Sequence, residues 1–178
     1  GKSRLVDELR TRALVKGAIV LRGQAVAEGG LPFQLWRDPA RRLALNTDLS
    51  DLEAGILKEI VPDIGALLGK DIPDAPELTG KAGQDRLVFT LVEVFKRQTQ
   101  PIVLILEDLQ WSAESLAVFK QMLKVPEQLP RLLVVGTYRD DEKPDLPDEL
   151  PGTQALQLKR LDESAIADLS ASMLGEAG

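Results

Sequence analysis

The spacing of apolar positions changes period several times along this chain. From Ser3 to about Val15, the residues Leu5, Val6, Leu9, Ala13 and Leu14 recur at helical spacing with charges between them. Gly17 then ends the helix, and "AIVLRG" (Ala18–Gly23) predicts a short, mostly buried strand. Glu28–Pro32 predicts a turn, and Pro32–Leu45 a helical segment that Pro39 breaks or kinks. Ser50-Asp51-Leu52-Glu53 is a capping-box pattern opening a helix that carries Leu52, Ile56 and Ile60. Pro62 interrupts that helix and Gly69 marks its end; Lys70–Gly83 is a polar loop rich in Pro and Gly. Leu87, Leu91, Val94 and Phe95 then give a strongly amphipathic helix ending near Gln98.

The second half alternates more regularly. "PIVLILED" (Pro101–Asp108) is a continuous apolar run that stops at two acids, the pattern of a strand covered on both faces in a parallel sheet. Ser112 is placed to cap a helix bearing Leu116, Phe119 and Leu123. "RLLVVGTYRDDE" (Arg131–Glu142) predicts a second buried strand running into a charged loop. "ALQLKRL" (Ala155–Leu161) alternates well enough for a third, and Asp162 caps a helix with Ile166, Leu169 and Met173. Strands alternating with helices predict an α/β fold with a parallel sheet.

Composition narrows the chemistry. The 178 residues suffice for one domain or a large piece of one, with 44% hydrophobic and 28% charged residues. The net charge of -6 gives no support to nucleic-acid binding, which calls for a basic stripe. There is no cysteine and no histidine, so thiol nucleophiles, Cys or His zinc sites and any Ser-His-Asp triad are excluded. Carboxylates, Lys, Arg, hydroxyls and backbone groups remain. No stretch approaches the ~18 continuous apolar residues of a membrane helix. The lack of cysteine fits the cytoplasm.

Open parallel sheets bind ligands at the carboxyl ends of their strands, and three features fall at such ends. Lys2 and Ser3, in "GKSRL", start a helix whose free N–H groups and dipole attract phosphate. In a phosphate-binding loop the Lys neutralises phosphates and the Ser hydroxyl coordinates Mg²⁺; the plainer reading is a Ser N-cap beside a solvated Lys. Glu107 and Asp108 close the aliphatic strand Val103–Leu106. One acid then serves the Mg²⁺ shell and the other orients or activates water, unless both are simply solvated. Thr137 and Arg139 follow Leu132–Val135 and reach toward a γ-phosphate, unless Arg139 pairs with Asp140, Asp141 or Glu142. The order of the three is that required by a nucleoside triphosphatase.

"GKSRL", "PIVLILEDLQWSAESL" and "LLVVGTYRDDE" resemble the P-loop tail, Walker B and sensor segments of STAND-type, AAA-like P-loop ATPase modules. Such modules occur in bacterial signalling proteins, fused to serine/threonine kinases, nucleotide cyclases or LuxR-type regulators. The resemblance covers most of the chain, including "LPFQLW" (Leu31–Trp36). It implies an ASCE/AAA-like three-layer sandwich over residues 1–160 and the start of a helical lid over 161–178. It also implies ATP and Mg²⁺ as cofactors and other domains of a larger protein as partners, with no membrane or direct nucleic-acid contact. Gly1, Lys2, Ser3, Arg4 and Thr137 would then bind nucleotide, Ser3 and Glu107 the metal, and Glu107, Asp108 and Arg139 would act in catalysis. Many relatives have Asp at the position of Glu107, which places hydrolysis in doubt more than binding. Trp111, just after the acids, is expected to be a packing residue. The complete motif reads G-x-x-x-x-G-K-[ST], so the preceding strand and most of the loop are expected to be absent from this segment. That strand would lie between Leu132–Val135 and Ala155–Leu158. Two rival readings are a non-catalytic, nucleotide-gated scaffold and a metal-dependent enzyme using Glu107, Asp108 and Asp140–Glu142.

Overall fold

The computed structural model describes residues 1–27 and 30–158. Its centre is a parallel sheet of three strands, β1 (Ile19–Gln24), β2 (Ile102–Glu107) and β3 (Leu132–Gly136), in the order β1-β2-β3. β2 is central and buried at every position, as an unbroken aliphatic run requires. In register, Leu21 pairs with Leu104 and Gln24 with Glu107 on one side of β2; Leu104 pairs with Val134 on the other.

Alternation along the strands divides the core in two. Leu21, Leu104 and Leu106 face the larger cluster, which also takes Leu87, Leu91, Phe119 and Trp36. That layer is built from α2 (Arg37–Asn46), α3 (Asp51–Leu57), α4 (Ile64–Leu68), α5 (Lys81–Lys96) and α6 (Leu116–Met122). Val20, Val103 and Ile105 face the opposite way and pack on Val6 and Ala13 of α1 (Lys2–Val15). Helices on both faces of a parallel sheet are the layering expected of the three-layer α/β class. A short helix, α7 (Leu146–Glu149), follows β3 and is tied down by Glu149, which accepts from Lys120 and Lys143.

Several local expectations need correction. Pro39 neither breaks nor kinks α2: it is the third residue of the helix, where an N–H has no intrahelical acceptor anyway. The preceding Gln34–Trp36 forms a 3-10 turn instead of α-helix, entered through Phe33 at φ 60. Trp36 anchors this turn by donating its indole N–H to the Ser115 carbonyl at 2.7 Å and meeting Phe95 edge-on at 6.2 Å. The Ser50–Glu53 capping box forms as read, but α3 stops at Leu57, before Ile60, and Leu52 faces outward. Ser112 does not cap α6; its hydroxyl donates back to Leu109, and the helix starts after Ser115. β3 is only partly buried, with Leu133 exposed on the side of α1, because α1 covers β1 and β2. Residues 155–158 form no strand: β3 has no outer partner among the described residues, and Leu156 is exposed. The rest of that expected strand, the Asp162 cap and the lid expected over 161–178 lie outside the described residues.

Candidate functional site

The three expected features converge at the carboxyl end of the sheet. α1 begins there with Gly1 as its N-cap, no side-chain cap and no acid in its first turn. The N–H groups of Lys2, Ser3 and Arg4 have no intrahelical acceptors, and the neighbouring side chains are cationic. Such a start disfavours an isolated helix, since the dipole prefers acids there, and it favours an anion. The Lys2 ammonium donates to the Tyr138 carbonyl at 2.7 Å, which joins the head of α1 to the loop leaving β3.

Glu107 and Asp108 are presented differently despite being adjacent. Glu107 is the last residue of β2, on the α1 side of the sheet, with its side chain only 9% exposed. Asp108 leaves the strand at φ 57, a left-handed conformation uncommon outside glycine but more accessible to Asp and Asn than to most residues. This sharp turn opens a 3-10 segment, Leu109–Trp111. Both acids are held from β1. Arg22 donates through Nε to Glu107 Oε2, and Gln24 donates through Nε2 to Asp108 Oδ2 at 3.0 Å. The bond to Glu107 raises the Arg22 pKa, against a smaller opposing effect of burial.

The acid turn and the loop after β3 are laced together. The Leu109 N–H donates to the Thr137 carbonyl and the Thr137 N–H to the Leu106 carbonyl. Gln110 Oε1 accepts from the Arg139 N–H, while Glu142 accepts from both the Arg139 guanidinium (3.1 Å) and the Trp111 indole (2.8 Å). Arg139 is thus paired with Glu142, one of the partners open to it on sequence. Trp111, expected to pack, is 38% exposed and used through its indole N–H.

All of the expected site residues lie on these three converging segments, although neither the Ser3 hydroxyl nor the Thr137 side chain makes a hydrogen bond among the described residues. Arg22 and Gln24 were missed. Their signal was an Arg and a Gln two apart on a strand, which places both on one face, but only the register with β2 sets them beside the acids.

The site's donor set suits Mg²⁺ that arrives with phosphates. Ser3 and Glu107 offer hard oxygen ligands, and Glu107 Oε1 accepts no hydrogen bond from the described residues. Among the described residues no three acids gather into a group that could hold a metal ion by themselves. The same observation tells against an enzyme that pools Asp140–Glu142 with Glu107 and Asp108.

A family model described as the AAA ATPase domain matches residues 1–135, more than half of the chain. The chain belongs to the AAA ATPase domain family. No curated protein and no solved structure gives a significant match. Membership of the AAA ATPase domain family identifies a nucleotide-binding and nucleotide-hydrolysing class of module, one that typically uses Mg²⁺. The parallel sheet with helices on both faces is consistent with that assignment. No helix among the described residues is long and apolar enough to cross a membrane.

Proposed function

We propose that this AAA ATPase domain is a STAND-type regulatory module in which ATP acts as a conformational switch within a multidomain bacterial signalling protein of the cytoplasm. The observation that carries the reading is the meeting, at one end of a parallel sheet, of a cationic helix N-terminus, an acid pair and the polar exit of β3. Lys2 and the N–H groups of Gly1, Lys2, Ser3 and Arg4 bind phosphate. Ser3 and Glu107 hold Mg²⁺, which when bound supplies neutralisation of phosphate charge. Asp108 orients a water for attack, and Thr137 with Arg139 reads the terminal phosphate. Engaging Arg139 competes with its Glu142 bond, so occupancy is felt in the loop after β3 and passed to neighbouring domains, its partners.

Calorimetry of ATP with Mg²⁺, on the longest natural polypeptide containing these residues, tests the assignment. A charge-assisted bond is worth about 1.5–3 kcal/mol, so Lys2→Ala should weaken ATP by roughly 10- to 100-fold. Unchanged affinity would remove Lys2 from the site and the reading with it.

Two pairings favour a second reading, a nucleotide-gated scaffold without turnover: Glu107 is engaged by Arg22, and Arg139 by Glu142. Phosphate release decides between them. Steady turnover supports the switch driven by hydrolysis; intact binding without turnover supports the scaffold.

A further inference from the structure

Glu107 carries more than the role given to it above. Its carboxylate is nearly buried, and a buried carboxylate without a partner costs several kcal/mol. Nearby, Lys2 is spent on the Tyr138 carbonyl, Arg139 on Glu142, and the Gln24 amide on Asp108. Arg22 is the cation that reaches Glu107. Its own side chain is 52% exposed, and it feels a second acid, Asp7 on α1, in addition to Glu107. One end of the pair is therefore fixed in the fold, and the other is half-exposed to solvent.

We infer that Arg22 is a built-in counter-ion of Glu107 whose charge opposes a divalent cation at that carboxylate, so that Arg22 sets the metal affinity of the site. This rests on the metal role proposed for Glu107. The pair and a metal compete for the same carboxylate: Oε2 accepts from Arg22, and a full positive charge beside the acid opposes an approaching dication. Metal alone then binds poorly. Metal that arrives with a nucleotide brings phosphate oxygens as additional ligands and a negative charge that offsets the repulsion from Arg22. Arg22 is a positioning residue on this account, acting through Glu107.

The test uses Mn²⁺ alone as the probe, titrated into the same natural polypeptide used for calorimetry and followed by water-proton relaxation. Removing a unit charge a few ångströms from a dication should tighten binding by roughly tenfold, so Arg22→Gln should bind Mn²⁺ about tenfold more tightly than the unsubstituted chain. Arg22→Lys, which keeps the charge, should stay near the original affinity, and Glu107→Gln added to Arg22→Gln should erase the gain. Equal or weaker binding by Arg22→Gln, or a gain that survives Glu107→Gln, overturns the inference. A second measurement needs no substitution: on Mg²⁺ titration, the Arg22 Nε–H resonance should move with the same concentration dependence as the Glu107 carboxyl carbon. An Arg22 signal that stays fixed while Glu107 responds overturns it equally. Neither experiment contains nucleotide, so failure here leaves the ATP-binding result standing, and failure of ATP binding leaves the Mn²⁺ result standing.

Discussion

Substituting Gly23 tests how the site end of β1 is supported. Gly23 lies between Arg22 and Gln24, the two residues that hold the acids, and its backbone is packed against the 3-10 turn. A methyl group there would overlap the Leu35 carbonyl oxygen and lie 3.1 Å from its carbon. Relief requires the turn to retreat by ~1 Å or more, judged from ordinary contact distances. The turn cannot retreat freely, because Leu35 and Trp36 are buried in the core and the Trp36 indole is bonded to Ser115. Overpacking of this kind costs ~1–3 kcal/mol, and contact with backbone instead of a flexible side chain puts Gly23→Ala at the upper end. In a chain of this length each kcal/mol lowers Tm by ~2–4 °C, so a drop of about 6–12 °C is expected. Gly17→Ala is the internal comparison: its φ is 77 but nothing lies within 4 Å of the added methyl, so only backbone strain of ~1 kcal/mol is involved. Thermal unfolding followed by circular dichroism measures both. A Gly23→Ala variant no less stable than Gly17→Ala would show that the turn is not packed on β1 as described.

Two further outcomes concern the scaffold. Hydrogen bonds from Lys120 and Lys143 hold the Glu149 pKa down from 4.5 to about 2. A depressed carboxyl pKa contributes stability above the unfolded value that is lost as pH falls from 4.5 toward 2. Discounted for solvent screening of a partly exposed pair, Glu149→Gln should cost ~1 kcal/mol at neutral pH. Urea titrations should show that difference shrinking between about pH 5 and pH 2, and a difference independent of pH would refute the pairing. Ser50→Ala, which removes the hydroxyl of the capping box, should cost ~1 kcal/mol by the same assay; an unchanged midpoint would show that Ser50 contributes nothing to α3.

The elements most legible in the sequence were those whose signals are local. The unbroken aliphatic run ending in Glu107 and Asp108, the amphipathic α1 and α5, and the Ser50–Glu53 box each follow from neighbouring residues alone. The start of α6 was misread because Ser112 and Ser115 offer the same chemistry three residues apart, and the Leu109 carbonyl takes the first of them. Alternation predicts a strand from Ala155, but a strand also requires a partner ladder, which alternation does not supply, and residues 155–158 have none among the described residues. In the site, acids and cations were legible as residue types, whereas Arg22 and Gln24 were not, since their partners depend on a parallel register. The Glu142 bridge was half visible, as a possible partner of Arg139; its bond to Trp111 depends on a turn that only the fold supplies.

The separations in sequence within the site have a kinetic consequence. Arg22 and Glu107 are 85 residues apart, and Lys2 reaches a carbonyl 136 residues away. Parallel strands joined by helical crossovers close large loops before their contacts repay the lost entropy, and such pairings slow folding. Helices α1 and α5 can form early from local contacts, but the acid pair acquires its partners from β1 only once β2 has docked in register. A ribosome would have released more than half of this chain before Glu107 existed to be paired. The site is therefore a late product of folding, and a chain that holds it assembled has already closed its longest loops.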